Sequence, residues 1–153
     1  MGNTHTSYWE VVEPFWETVD IYGSPERFIG TFSRVPRKVG HLIAAHWCQS
    51  EVCNGGFHQF FCNSTGVLAP EALEGFRAIG MLEWAALLEK AMSTFGRSYP
   101  RNREARCSLL PQAATGQRRE QWDPFCGLDS KFYLDQRPTW KRAADAYAEQ
   151  GDA

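Results

Sequence analysis

The residues able to do chemistry crowd into one stretch, Glu51-Val52-Cys53-Asn54-Gly55-Gly56-Phe57-His58-Gln59-Phe60-Phe61-Cys62-Asn63-Ser64-Thr65-Gly66. Gln59 and Asn63 stand four apart, so a helix places them one above the other. Asn54 precedes a Gly-Gly pair that interrupts helices. Side-chain amides donate and accept at once. Two uses follow: a buried hydrogen-bonded corner where helices meet, or a binding or catalytic pocket around Asn54 to Asn63. Cys62 with His58 offers a thiol nucleophile and a base, yet nothing nearby points to a lowered cysteine pKa or an oxyanion hole. Cys48 and Cys53 extend that pair to four metal-ligand residues. The tight Cys-x-x-Cys knuckles of structural zinc sites are missing, however, and Cys48 and Cys53 point about 140° apart on one helix. No metal, no cofactor and no catalytic residue is expected, and the cysteines read as small apolar fillers.

Two charged groups lie outside this stretch. At about 100° per residue, Glu10, Glu13, Glu17 and Asp20 share one arc of a first helix, away from Trp9, Val12 and Trp16. The spacing is that of a row of phosphates, or of a solvated helix face. Between 97 and 119, Arg97, Arg101, Arg103, Arg106, Arg118 and Arg119 have only Glu104 and Glu120 as nearby acids. They would hold an anion, a nucleic-acid backbone or an acidic partner, or else pair with the chain's own carboxylates.

The elements that must position these groups are helices. Ser7-Tyr8-Trp9-Glu10 reads as a capping box, followed by Trp9, Val12, Trp16 and Val19 at helical spacing, with Pro14 forcing a kink or a restart. Ser24-Pro25-Glu26 starts a second helix. Pro36 opens the longest, which runs to about Cys53 and is ended by Asn54-Gly55-Gly56. Phe57, Phe60 and Phe61 restart an apolar face, and Asn63 and Gly66 close it. Helices follow from Pro70 to Gly80 and from Met81 to Phe95. A loop with one short helix spans Gly96 to Gln117, and a last helix runs from Pro138 to Glu149. No stretch alternates with the period of a strand. The expectation is one all-α, multi-helix domain over 1–153, with loose ends at 1–6 and 150–153.

Composition sets further bounds. Among 153 residues, 14% are aromatic and the formal net charge is −2. The first supplies a large core; the second argues against direct, general nucleic-acid binding, which needs a basic excess. Five cysteines, and a start without a basic, apolar leader pattern, point to free thiols in a reducing cytoplasm. No apolar run approaches the roughly 18 residues of a membrane span. Met1-Gly2-Asn3-Thr4-His5-Thr6 fits the myristoylation template, with an unmodified start as the alternative.

The motif Asn54-Gly55-Gly56-Phe57-x-Gln59-Phe60-Phe61-x-Asn63-x-x-Gly66 resembles the hallmark of a family of small bacterial DNA-mimic proteins, also described as a domain of unknown function. The pair of helices over 70–95 and the segment Leu128-Asp129-Ser130-Lys131-Phe132-Tyr133 fit the same resemblance, which extends over about 8–150. It implies an all-α fold, no enzymatic activity and a protein partner. In its mimic branch, surface carboxylates arranged like DNA phosphates occupy the DNA-binding face of a regulator. Here sixteen Lys and Arg nearly cancel eighteen Asp and Glu, so only a local acidic face, Glu10 to Asp20, is available for such mimicry. The expected partner is an unidentified protein, a DNA-binding regulator in the mimic reading, bound by a monomer or homodimer.

Overall fold

The computed structural model describes residues 5–135 and 137–151. Among them the chain forms nine α-helices and no strand: α1 (Tyr8–Val12), α2 (Pro25–Phe32), α3 (Arg37–Cys62), α4 (Ala69–Ile79), α5 (Leu82–Met92), α6 (Arg103–Leu109), α7 (Arg119–Trp122), α8 (Cys126–Asp135) and α9 (Arg137–Glu149). The all-α reading holds. Met1 to Thr4, and with them Gly2 of the myristoylation template, lie outside the described residues.

α3 is the axis of the molecule, and α1, α4, α6, α8 and α9 all pack on it. Its buried face runs Val39, Leu42, Ile43, Cys48, Val52, Phe57, Phe60 and Phe61. α4 comes close because Gly75 has no side chain: a Cβ there would stand 2.5 Å from the His41 carbonyl oxygen. Beyond α4 the core is aromatic. Trp84 of α5 stacks on Phe132 of α8 with centroids 4.0 Å apart, and its indole N–H donates to the Phe132 carbonyl at 3.0 Å. A buried indole therefore finds the polar partner it needs.

Punctuation falls largely where the residue types put it. Ser7, Ser24 and Asn102 cap α1, α2 and α6 with side-chain oxygens, as short polar residues do at helix starts. Gly80 closes α4 at φ 91°. The N-terminal segment differs from expectation. α1 stops at Val12, and Glu13–Phe15 continues as a 3-10 turn with Pro14 in its first positions. Proline has no N–H to donate to the preceding turn, so the helix cannot run on to Val19. This stub is tied to the far end of the chain. The Tyr8 N–H donates to Asp145 at 2.8 Å, and His5 and the Thr6 N–H both meet Glu149, at 2.7 and 2.9 Å.

Candidate functional site

The sequence places a break at Gly-Gly, and the structure puts it at one residue. Gly56 takes φ 83° and ψ 177° inside an otherwise helical run, a region that L side chains rarely enter. Two loose backbone groups result, and side chains from other helices meet both. The Phe57 N–H, first in the restarted half, donates to the Asp129 carboxylate at 2.8 Å. The Gly55 carbonyl, last in the first half, accepts from the Arg119 guanidinium at 2.7 Å. An anion thus sits at a helix N-terminus and a cation at a helix C-terminus, the favourable arrangement at each. Arg119 also holds buried Asp123 at 2.9 Å, which raises the Arg119 pKa. Burial pushes the Asp129 carboxyl up, and the Phe57 N–H opposes that. A Cβ on Gly56 would stand 2.5 Å from Asp129 and 2.6 Å from Arg119, so this closure requires glycine twice over.

The amides divide differently from the reading of one corner. Gln59 and Asn63 do share a face, and both donate to one carboxylate oxygen of Glu51, at 2.7 and 3.1 Å. Glu51 is the member that spacing alone did not reveal. Asn54 is exposed and takes no part. It comes last before the glycines, where the helix surface turns toward solvent. Gly55 serves this network by leaving room: a Cβ there would overlap the Gln59 side chain.

A shallow cleft of about 360 Å³ lies beside the break, lined by Cys53, Asn54, Gly56, Arg119, Asp129 and Tyr133 among others. Gln59 and His58 do not join it. The His58 ring bonds the Pro111 carbonyl at 2.9 Å and meets Trp122 edge-on. This cleft therefore gathers Asn54 without Gln59 or His58, because successive helical positions point to different sides.

The arginine stretch turns inward to a large extent. Arg106 is fully buried and donates to four carbonyls, those of Phe61, Asn63, Pro100 and Arg101. Arg103 donates to the Cys62 carbonyl at 2.6 Å. Together they satisfy the end of α3, where carbonyls lack intrahelical donors. Gly66 leaves room for this guanidinium, since a Cβ would stand 2.7 Å from it. Burial lowers the Arg106 pKa, yet arginine keeps its charge. Arg101 pairs with Glu71 at 2.7 Å. Of the six arginines, Arg97, Arg103 and Arg118 are exposed without a side-chain ion pair among the described residues, and Arg103 is held by the Cys62 carbonyl.

The acidic row is altered in its geometry. Because α1 ends at Val12, the four residues do not lie along one helix. Asp20 is committed to the fold: its carboxylate accepts from the N–H groups of Tyr22 and Gly23 and pairs with Arg27. The Tyr22 N–H and then Arg27 hold its pKa down. Glu10, Glu13 and Glu17 remain exposed and make no ion pair among the described residues. The same segment contributes Trp9 and Trp16 to an aromatic group with His46 and Trp47 that local spacing does not reveal. Trp9 and Trp16 stand 5.0 Å apart, Trp16 stacks on Trp47 at 5.0 Å, and His46 lies 5.5 Å from Trp9. Trp9 is 36% exposed.

All five cysteines are free thiols. Among the described residues no three His, Cys, Asp or Glu side chains gather as a metal would require. Cys48 is buried and its pKa raised by that burial. The Cys62 thiol lies with Cys107.

Fold and site together define an all-α domain in which Arg106 closes a helix end and Arg119 and Asp129 close a helix break. A family model described as DMP19-like protein matches residues 33–150, and the chain belongs to that family. The match contains the helix break and the buried Arg106, while Glu10 to Asp20 precede it. No curated protein and no solved structure matches the chain. No helix among the described residues is long and apolar enough to cross a membrane.

Proposed function

We propose that the chain is a non-catalytic protein-binding module that occupies the basic, DNA-reading face of a regulator through the carboxylates of Glu10, Glu13 and Glu17. The observation that carries this reading is their exposure without an internal cation, beside the half-open indole of Trp9. Asp20 leaves the row, so the face is three carboxylates rather than four. Cytoplasmic regulators of DNA offer the complementary surface, since phosphate recognition is a matter of basic groups. Aromatic anchors beside charge are typical of energetic centres at protein interfaces.

The test is capture of the partner by immobilised chain, with duplex DNA as competitor. DNA should displace the partner. Rising salt should weaken the complex, because screening reduces the reach of exposed charges to about 8–10 Å near physiological ionic strength. Glu10→Lys, Glu13→Lys and Glu17→Lys together should abolish capture, with melting nearly unchanged, since exposed charges contribute little to stability. Equal recovery of the same partner by the triple variant, with no competition by DNA, would remove the mimic reading and leave the cleft at Asn54 as the better candidate for contact.

A further inference from the structure

Cys62 ends α3 and Cys107 lies in α6, and the two residues meet where these helices pack, both partly buried. The Cys107 thiol donates to the Cys62 carbonyl at 3.3 Å across 45 residues of sequence. The Cys107 side chain is also close enough to the Cys62 thiol to act on it directly. Neither residue is fully buried, and Cys107 lines an open cavity of about 570 Å³ with Arg101, Arg103 and Arg106. This separates them from Cys48, which is sealed in the core. Burial and then the Cys107 contact push the Cys62 thiol up to about 12, with Arg103 and Arg106 opposing them, so Cys107, which lines the cavity, is the thiol that meets the reagent first.

The geometry points to Cys62 and Cys107 as a dithiol oxidation site that takes a small disulfide of the glutathione class and closes an internal disulfide. The Cys107 thiolate, reached through the cavity, attacks one sulfur of the small disulfide. The S–S bond of the reagent breaks, and its other half leaves as a thiolate and takes up a proton. A mixed disulfide then stands on Cys107. The Cys62 thiol gives up its proton, its sulfur attacks the Cys107 sulfur, and the second small thiol leaves and is protonated. One small disulfide is reduced to two thiols, and two protein thiols become one disulfide. The product ties α6 to the end of α3 that Arg103 and Arg106 already hold. It does not depend on the acidic face.

The experiment exposes the whole chain to buffers of oxidised and reduced glutathione and reads intact mass and peptide maps. The expected product has lost two hydrogens, carries a Cys62–Cys107 link, and returns to five thiols with excess reduced glutathione. Cys62→Ser should stop at a glutathione adduct on Cys107, and Cys107→Ser should form no internal link. The combined variant Cys48→Ser, Cys53→Ser, Cys126→Ser should still close the link; if it unfolds, the wild-type peptide map decides alone. A wild type that ends with separate adducts on Cys62 and Cys107, that links any other pair, or that keeps both thiols through an oxidising poise that modifies Cys53 or Cys126 would overturn the assignment.

Discussion

At the helix break, Arg119, Asp123 and Asp129 face one another and the loose backbone of α3; along Glu10 to Glu17, three carboxylates face water. Both regions interrupt a helix. Gly56 interrupts α3 from inside the core, where an unmet N–H or carbonyl is costly, and charges from α7 and α8 are drawn in to meet it. Pro14 interrupts the N-terminal helix at the surface, where water meets the loose groups and the side chains stay available. The contrast teaches that a charge's value for binding depends on what the nearby backbone demands of it. Arg101, Arg103 and Arg106 belong with the first region: they look like an anion site in sequence, yet the carbonyls of α3 and the Glu71 carboxylate take them.

The contrast breaks first at Arg106. Replacing it with Met keeps much of the volume but orphans carbonyls at the end of α3. The expected loss is on the order of 3 kcal/mol, since each unmet buried acceptor costs about 1–3 kcal/mol. Urea unfolding measures it. A loss under about 0.5 kcal/mol would mean that water replaces the guanidinium and that the arginine is not structural.

Gly56→Ala tests the break itself. The new Cβ meets Asp129 and Arg119, and φ 83° is strained for alanine. Strain of this kind costs about 1–3 kcal/mol, and a lower melting temperature is the readout. Gly80→Ala is the companion: its φ is 91° but nothing stands within 4 Å. It should therefore cost less than Gly56→Ala, where a ψ of 177° adds backbone strain to the clash with Asp129 and Arg119.

Legibility followed the same division. Helix period, prolines and glycines are local signals, so α2 to α6 and the break near Gly56 could be read from sequence. Pairings across the chain could not. The Asp129 cap on Phe57 spans 72 positions and the Arg106 bond to Phe61 spans 45, and no local pattern encodes either. Glu51 was missed as the acceptor for Gln59 and Asn63 because it lies eight and twelve positions away on the other side of the kink. The row from Glu10 to Asp20 was overextended because a 100° spacing was carried past Pro14.

Acid should loosen the N-terminal region next. Burial lowers the pKa of His46, which accepts the Tyr8 hydroxyl in one tautomer, and burial with Arg37 lowers that of His41. The unfolded chain then binds protons that the folded chain does not, so stability is complete above the ordinary histidine pKa of about 6.5 and declines as pH falls below it. The urea midpoint should be lower at about pH 5.5 than at about pH 7.5. His46→Gln should flatten that slope. An unchanged slope in His46→Gln would place the effect on His41 alone. Asp20, with its lowered pKa, acts in a separate window: its contribution is present above the ordinary carboxylate range and is lost only at stronger acid.

The smallest expected effect is at Asn54, and it sharpens the contrast most. A buried amide corner made of Asn54, Gln59 and Asn63 would lose about 1–3 kcal/mol on Asn54→Ala. The structure removes Asn54 from that corner: it is exposed, while Gln59 and Asn63 bond to Glu51. The expected change is therefore within about 0.5 kcal/mol, the usual range for surface substitutions. Gln59→Ala should cost more, because it removes one of the two donors to the Glu51 oxygen. Running the two variants side by side in urea tests the assignment directly. If Asn54→Ala costs as much as Gln59→Ala, the amide helps close the break and belongs with Arg119 and Asp129. If stability holds but capture of the partner fails, Asn54 is a contact residue at the mouth of the cleft. The binding face would then move from the acidic stub to the helix break, reversing the division between the two regions.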